Sequence, residues 1–249
     1  MPSLEPKIVV GQGARVFATT RWTVVLQAGG PTSEGSAWAL EQLCRTYWYP
    51  LYSFARRSGV PPHDAEDLTQ SFFAHLLEKD VIARADRERG RFRSFLLGAF
   101  KNFHANDRAR LAATKRGGGR SIISFDEMQA ESRYQHEPQN DLSPEKLYEQ
   151  KWAASLLEQV MQTLRTEYST LGKGLLFDVL RTVIWGGRQD GGYEALAGQV
   201  GLTEGAFKVA VHRMRSRYKE CLRQEVAQTV ATPGEVDDEL RHLLSALGT

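Results

Sequence analysis

The sequence has little cysteine and no long apolar run. Its two cysteines, Cys44 and Cys221, stand far apart and form no C-x-x-C pair, which excludes a disulfide scaffold and a cysteine-rich zinc module. No apolar stretch approaches the ~18 residues that a membrane helix needs. The first residues, MPSLEPKIVV, place an acid and a proline where a secretory signal needs a basic end followed by an apolar core. We therefore expect a cytoplasmic protein with no membrane partner.

The overall composition favours a folded chain. The 249 residues are 41% hydrophobic and 25% charged, values typical of globular domains and not of disordered segments. The length corresponds to one large domain or two small ones. The 32 Lys and Arg residues against 30 Asp and Glu residues give a formal net charge of +2, which by itself indicates no class of partner.

Charge is nevertheless concentrated in blocks. Residues 84–120 hold eleven basic and three acidic residues, a net charge of +8, whereas residues 125–149 hold two basic and seven acidic residues, a net charge of −5. Residues 204–223 return to +4, with six basic and two acidic residues. Two basic blocks separated by an acidic connector favour two surfaces for one polyanion, such as a nucleic acid. The alternative is that these are ordinary charged helix surfaces.

Helical periodicity dominates the first half of the chain. Apolar residues at three- and four-residue spacing predict helices over 37–57, from Asp64 onward, and over 92–114. Pro50 lies inside the first of these helices and should kink or split it. Within the third helix, the residues expected to face the core are Phe92, Phe95, Leu96, Ala99 and Phe103.

The second half begins after a polar connector. Residues 119–143 keep no period and resemble a linker, in which 121–125 is the one candidate strand. Ser143 as N-cap and Pro144 in the first turn predict the start of a long helix. We therefore predict an all-α fold of two small helical domains on a flexible linker. The expected parts are an N-terminal extension at 1–30, a helical domain at 31–118, an acidic linker at 119–143, a second helical domain at 144–226 and an acidic C-terminal extension at 227–249.

The strongest motif is a helix-turn-helix. Residues 193–200 predict a short helix, and Gly201 can take the positive φ of a tight turn. Thr203 can cap a second helix that begins at Glu204. Small Ala197 permits the two helices to approach closely.

The second helix of the motif has two different faces. One face carries residues at helical spacing that should enter the core, namely Phe207, Val211, Met214 and Tyr218. The other carries small residues and long donors suited to a DNA groove, namely Gly205, Lys208, Val209, His212, Arg213 and Ser216, with Arg215 and Arg217 beside them. The alternative is any basic amphipathic helix of a bundle.

Three segments together resemble a known family. The run YEALAGQVGLTEGAFKVAVHRMRSRY looks like region four of sigma-70 family RNA polymerase sigma factors of the extracytoplasmic-function (ECF) group. The run DAEDLTQSFFAHLLE resembles the region-two helix that binds core polymerase in that family, and FRSFLLGAFKNFHANDRARLAATKR resembles the promoter-melting segment that follows it. The joint match in the family's order, over about 38–226, is more specific than any one run.

The resemblance implies one protein partner and one nucleic-acid partner, and it implies that the protein catalyses no reaction. It implies binding to core RNA polymerase and promoter DNA, no cofactor and no enzymatic activity; an anti-sigma factor is a further candidate partner. Residues at the positions of the polymerase contacts are Asp64, Asp67, Leu68, Gln70 and Phe73. An acid-headed amphipathic helix can dock on another helix, although the acids can equally serve only to cap their own helix and Phe73 can equally be a core residue.

The family captures unstacked bases of the minus-ten element on region two. Residues placed there for phosphate and base contacts are Arg91, Arg93, Lys101, Asn102, Asn106, Arg108 and Arg110, and Phe100, Phe103 and His104 are candidates for stacking on bases. Where the family often has Asp, this chain has Asn106, followed by Asp107, so the base preference is open.

Region four reads the minus-thirty-five element as duplex DNA. On that pattern the groove contacts fall on Gly205, Lys208, Val209, His212 and Arg213, whereas Arg215 and Arg217 are expected to pair with phosphates.

Two other interpretations of the sequence compete with this one. The first is a stand-alone helix-turn-helix regulator that never binds polymerase, although such a protein would normally carry a sensor domain in the first half. The second is an enzyme: His63-Asp64 is a dipeptide of metal-dependent phosphohydrolases, but His75 and His104 lack the spacing of further ligands, so no metal site is predicted. Finally, the acidic connector and the acidic C-terminal extension either mimic nucleic acid, on a basic face or in the RNA channel of the polymerase, or are solvated segments.

Overall fold

The computed structural model describes residues 34–78, 91–113, 127–136, 141–186, 192–230 and 232–248. Within these ranges every regular element is a helix, so the described part of the chain is all-α, as predicted. The α-helices are α1 (Glu34–Arg57), α2 (Pro62–Glu78), α3 (Phe92–Ala113), α4 (Glu127–His136), α5 (Pro144–Thr170), α6 (Gly174–Leu180), α7 (Gly192–Gln199), α8 (Glu204–Ala227) and α9 (Val236–Leu247), with a 3₁₀ turn at Pro233–Glu235 before the last. Of these helices, none is both long and apolar enough to cross a membrane. The candidate strand at 121–125 lies outside the described residues.

Helix α1 is one helix through Pro50. The predicted split does not occur, because α1 runs unbroken over Glu34–Arg57 with the proline inside it. Tyr47 and Leu51 on either side of Pro50 are fully buried in the core. Tertiary packing therefore outweighs the backbone hydrogen bond that a proline removes from a helix interior.

The long helix α5 starts where the sequence predicts. Ser143 has extended backbone angles, and its hydroxyl accepts a hydrogen bond from the backbone N–H of Lys146 at 3.3 Å. Pro144 occupies the first turn, where its missing N–H costs no helical hydrogen bond. The helix has 27 residues, which corresponds to roughly 40 Å at the usual rise.

Two hydrophobic cores share this helix. The first core contains α1, α2, α3, the first half of α5, the end of α8 and α9, and the second contains the rest of α5 with α6, α7 and most of α8. Trp152 and Leu156 of α5 lie in the first core, whereas Val160 and Leu164 lie in the second. The boundary expected before residue 144 therefore does not separate the two cores, because α5 crosses from one to the other.

The acidic connector contains a packed helix. Within the segment expected to be an irregular linker, Glu131 of α4 accepts hydrogen bonds from two Arg56 nitrogens, both at 3.0 Å, and from the Tyr52 hydroxyl. The Tyr134 ring meets the Tyr52 ring edge-on, with 6.4 Å between centroids. The described part of the connector is thus a helix fixed to α1, a correction to the expectation of a free linker.

The C-terminal extension also belongs to the first core. Val236 and Leu243 of α9 are buried there, and Leu240 and Leu247 pack against the same cluster. Although this segment contains the acidic run DDEL, its apolar residues recur at three- and four-residue spacing and form one apolar face of the helix. The extension is therefore a structural helix and not a solvated segment.

Truncating Leu243 tests this placement of α9. Its side chain is 0% exposed, so Leu243→Ala should lower the free energy of unfolding by about 2–5 kcal/mol through lost burial and a cavity. The measurement is urea denaturation followed by circular dichroism. The matched control is Leu244→Ala, because Leu244 is 61% exposed and its truncation should cost no more than about 0.5 kcal/mol. Equal effects of the two substitutions would contradict a docked α9.

Candidate nucleic-acid interface

Helices α7 and α8 form the predicted helix-turn-helix. Gly201 has φ +66°, a left-handed conformation that favours glycine. The backbone N–H of Leu202 donates to the carbonyl of Ala197 at 2.9 Å and closes the turn. Thr203 then caps α8, its hydroxyl accepting from the N–H of Ala206 at 3.3 Å. The turn chemistry inferred from the sequence is confirmed in each of these respects.

The inward face of α8 is also confirmed. Phe207, Val211, Met214 and Tyr218 are all buried in the second core. The Phe207 ring packs against Tyr193 of α7, with 5.6 Å between centroids. Aromatic and apolar contacts therefore fix the rotation of α8 about its axis, so its opposite face is fixed as well.

That opposite face is open along three turns. Its members are all exposed, namely Gly205, Lys208, Val209, His212, Arg213 and Ser216, and they extend over roughly 16 Å of the helix. Val209 is 50% exposed, so this face also offers one accessible apolar side chain. Within the described residues, His212 and Arg213 form no ion pair, whereas Lys208 pairs with Glu204 at 2.7 Å between Nζ and Oε1.

Arg215 and Arg217 are engaged within the protein. Arg215 donates from two guanidinium nitrogens to the carbonyls of Val183 and Ile184, both at 2.9 Å, and so holds the turn after α6. Arg217 pairs with Glu167 of α5 and with Glu220, each at 2.7 Å. The hydrogen bonds that Arg217 donates to these two carboxylates raise its pKa above the usual range. The phosphate role expected for both arginines therefore competes with structural contacts.

Arg93 is the most buried of the described cations in the first basic block. Its side chain is 2% exposed and donates from Nε to Glu149 of α5 at 2.6 Å. A second donor, Nη1, bonds the Glu239 carboxylate of α9. The guanidinium also lies 4.7 Å from the centre of the Trp152 ring, within cation–π range. The expectation of an accessible DNA contact at Arg93 is wrong for this structure, because helices α5 and α9 cover it.

The neighbouring cations are paired too. Nε of Arg91 lies 2.8 Å from Oε2 of Glu239, and Nζ of Lys101 lies 2.6 Å from Oε1 of Glu145. The hydrogen bond from Lys101 holds the pKa of Glu145 below its usual value. Asn102 and Asn106 are exposed, so their side chains are available to a partner. The side chains of Arg108 and Arg110 lie outside the described residues.

Of the three aromatic candidates for stacking on bases, Phe100 is enclosed by the core and the other two are partly buried. Phe100 is 0% exposed, with its ring 5.0 Å from Phe72 and 6.0 Å from Phe54 between centroids. Phe103 is half-buried, and its ring lies 5.0 Å from His75. His104 is half-buried as well. The stacking role considered for Phe100 is therefore corrected to a core role.

The residues of α2 that were expected to contact polymerase are partly accessible and partly buried. Asp64 and Asp67 are exposed and Gln70 is half-buried, so these three form an accessible polar strip. Leu68 is buried, and Phe73 is 1% exposed with its ring 5.9 Å from Phe72. Contact of Leu68 and Phe73 with a partner is therefore a corrected expectation, because both are part of the first core.

The long-range contacts that the sequence did not reveal are those of the acidic residues. Glu131, Glu145, Glu149 and Glu239 each hold a basic or phenolic group of α1 or α3, across 44 to 146 residues. The one available signal was the alternation of basic and acidic blocks, which indicates that opposite charges can meet but not which pairs form.

No family model, curated protein or solved structure matches this chain. Among the residues described, no group of three or more His, Cys, Asp and Glu side chains could hold a metal ion. The physical chemistry of the exposed faces therefore carries the functional argument.

The Glu131 cluster predicts an acid-sensitive contribution to stability. Burial alone would raise the pKa of Glu131, but the hydrogen bonds from Arg56, Tyr52 and Gln135 outweigh it and lower that pKa. A lowered folded-state pKa means that the stabilisation is present above the unfolded value of about 4.3 and is lost as pH falls through the folded value.

Glu131→Gln should therefore reduce the free energy of unfolding by about 1.5–3 kcal/mol near neutral pH and have little effect once Glu131 is protonated. The measurement is urea denaturation of both proteins across the acidic range. Glu158→Gln is the control, because Glu158 is 72% exposed and lies 3.9 Å from Arg133. A deficit that stays constant with pH would contradict the charged role of Glu131.

Proposed function

We propose that this protein is a transcription initiation factor of the sigma type, which binds core RNA polymerase and directs it to promoter DNA. The observation that carries the proposal is the open face of α8 in a helix-turn-helix, with His212 and Arg213 exposed beside Val209. The resemblance of three segments, in the family's order, supports the same function. The protein itself performs no chemistry in this proposal.

The α8 face suits the major groove of a duplex. In helix-turn-helix proteins the second helix enters that groove, and the residues of its first turns reach base edges. Arg213 can donate two parallel hydrogen bonds to a guanine, and Val209 can contact a thymine methyl group. Gly205 adds no side chain at the helix start, so the backbone can approach the DNA closely. In the proposed function this helix reads the minus-thirty-five element.

The first core supplies the other proposed contacts. The exposed acids Asp64 and Asp67 of α2 present a negative strip for polymerase. On α3, exposed Asn102 and Asn106 remain the accessible polar residues for bases of the minus-ten strand, with Lys101 beside them. In this proposal the two cores take the parts of regions two and four. Because Phe73 and Phe100 are buried, the proposed contacts with polymerase and with the minus-ten strand are assigned to these polar residues.

A combined binding and transcription experiment tests the proposal. Core polymerase from the source bacterium is passed over the immobilised chain, and run-off transcription is measured on the DNA upstream of its own gene. Retention of core together with a defined transcript is the expected result. Duplex binding without retention of core would instead identify a stand-alone helix-turn-helix regulator.

Arg213→Ala should weaken binding to the preferred duplex by roughly tenfold to a hundredfold, with loss of preference at one base position. The measurement is a gel-shift titration on DNA selected from a random pool. Arg165→Ala is the matched control, because Arg165 is an exposed arginine of α5 outside the helix-turn-helix. If the two variants bind equally, the α8 face does not read DNA.

Asp67→Arg should weaken retention of core polymerase by at least about tenfold, because it places a positive charge where the proposed interface presents a negative one. Asp178→Arg is the charge-matched control, since Asp178 is an exposed acid of α6. Circular dichroism shows whether both variants fold. Equal retention of both would remove α2 from the polymerase interface.

A further inference from the structure

The C-terminal helix α9 reaches the beginning of α3 through one carboxylate. Glu239 is 0% exposed and contacts both Arg91 and Arg93. Its helix is held in place by buried Val236 and Leu243 and by a pair between Asp237 and Arg223 at 2.5 Å. A single acid of the extension thus bridges two arginines of the basic block.

The donors of Arg93 are divided between two helices. Nε is bonded to Glu149 of α5 at 2.6 Å, and Glu149 also lies 2.8 Å from Nε2 of His242. Nη1 is bonded to Glu239 of α9. If α9 leaves, Glu149 and the Trp152 ring still orient Arg93, while its Nη1 and the Nε of Arg91 lose their carboxylate partner. Arg93 would then present an oriented donor, and Arg91 a second donor beside it, with the Glu239 acceptor gone.

A phosphate group can take the place of the Glu239 carboxylate. The carboxylate is planar and the phosphate is tetrahedral, but both present anionic oxygens. Guanidinium donors bind either group through charge-assisted hydrogen bonds. A single-stranded nucleic acid supplies such phosphates in a row. The bridged pair of arginines therefore has the chemistry of a phosphate site already filled by an acid of the same chain.

We propose that α9 is an intramolecular clasp that competes with single-stranded nucleic acid for Arg91 and Arg93. The inference rests on the proposed function and deepens it: the duplex-reading face of α8 is open at all times, whereas capture of the melted strand requires α9 to leave. The clasp has an electrostatic part, Glu239, and an apolar part, Leu243, and weakening either part exposes the same arginines.

The first test measures binding of a short fluorescein-labelled DNA single strand by anisotropy, in the absence of polymerase. Glu239→Gln should bind about tenfold more tightly than the wild type. Each additional phosphate that the variant neutralises should steepen the dependence of log affinity on log salt by about 0.7. Asp238→Asn is the matched control, because it removes the same charge from α9 but its pair is with Arg241 of the same helix. Equal affinity of the two variants, or no binding by any of them, overturns the clasp.

Two further variants separate competition from a general charge effect. Leu243→Ala changes no charge and should also tighten binding, whereas exposed Leu244→Ala should not. In an Arg91→Ala background, Glu239→Gln should give a smaller increase in affinity than in the wild type. An increase that is unchanged without Arg91 would mean that the freed arginines are not the site.

Hydrogen exchange on the unmodified protein decides the matter if a variant fails to fold. Amides of residues 236–247 should exchange faster when the single strand is present at saturation, because the strand displaces α9. Unchanged or slower exchange there overturns the clasp. Because neither measurement contains polymerase, a failure of the clasp is distinguishable from a failure of the proposed function, which appears as lack of core retention.

Discussion

The buried guanidinium of Arg93 ties together three segments that are far apart in the chain. The guanidinium joins α3 to Glu149, 56 residues away, and to Glu239, 146 residues away. The backbone carbonyl of Arg93 also accepts a hydrogen bond from the Tyr148 hydroxyl at 3.0 Å. A charge at 2% exposure is tolerated only when its partners are in place, since removing one of them leaves an uncompensated buried ion. The first core therefore becomes complete only when the last helix of the chain has docked.

The shared helix α5 extends this dependence to the core that supports the helix-turn-helix. Its first half carries Glu149 and Trp152 beneath Arg93, and its second half carries Val160 and Leu164 into the core that supports α8. Because α5 is one continuous helix of 27 residues, the two cores are built on the same element and are not joined by a free linker.

Features that depend on residues close in sequence were predictable, whereas burial by residues distant in sequence was not. The caps at Ser143 and Thr203, the positive φ of Gly201 and the inward stripe of α8 depend on neighbours within four residues or on helical period, and the structure confirms them. On α3 the period fixed which residues share a face, but not how far the core wraps around the helix. Phe54 and Phe72 close over Phe100 from a second side, and that contact has no local signature. The burial of Arg93 was missed for the same reason, since its partner Glu239 lies at the other end of the chain.

Ion pairs between distant segments account for part of the balance between basic and acidic residues in this chain. The connector and the extension are acidic because each neutralises cations of α1 or α3: Glu131 binds Arg56, Glu145 binds Lys101, and Glu239 binds Arg91 and Arg93. On the α8 face the compensation is local and partial, with Glu204 on Lys208 and no acid on Arg213 among the described residues. Among the described residues, Arg91, Arg93 and Lys101 of α3 are therefore all paired with acids, whereas Arg213 on the α8 face is an exposed cation without an ion-pair partner. In the proposed function, binding of the duplex by α8 raises the local concentration of phosphate, and this favours competition of a single strand with the Glu239 carboxylate for Arg91 and Arg93.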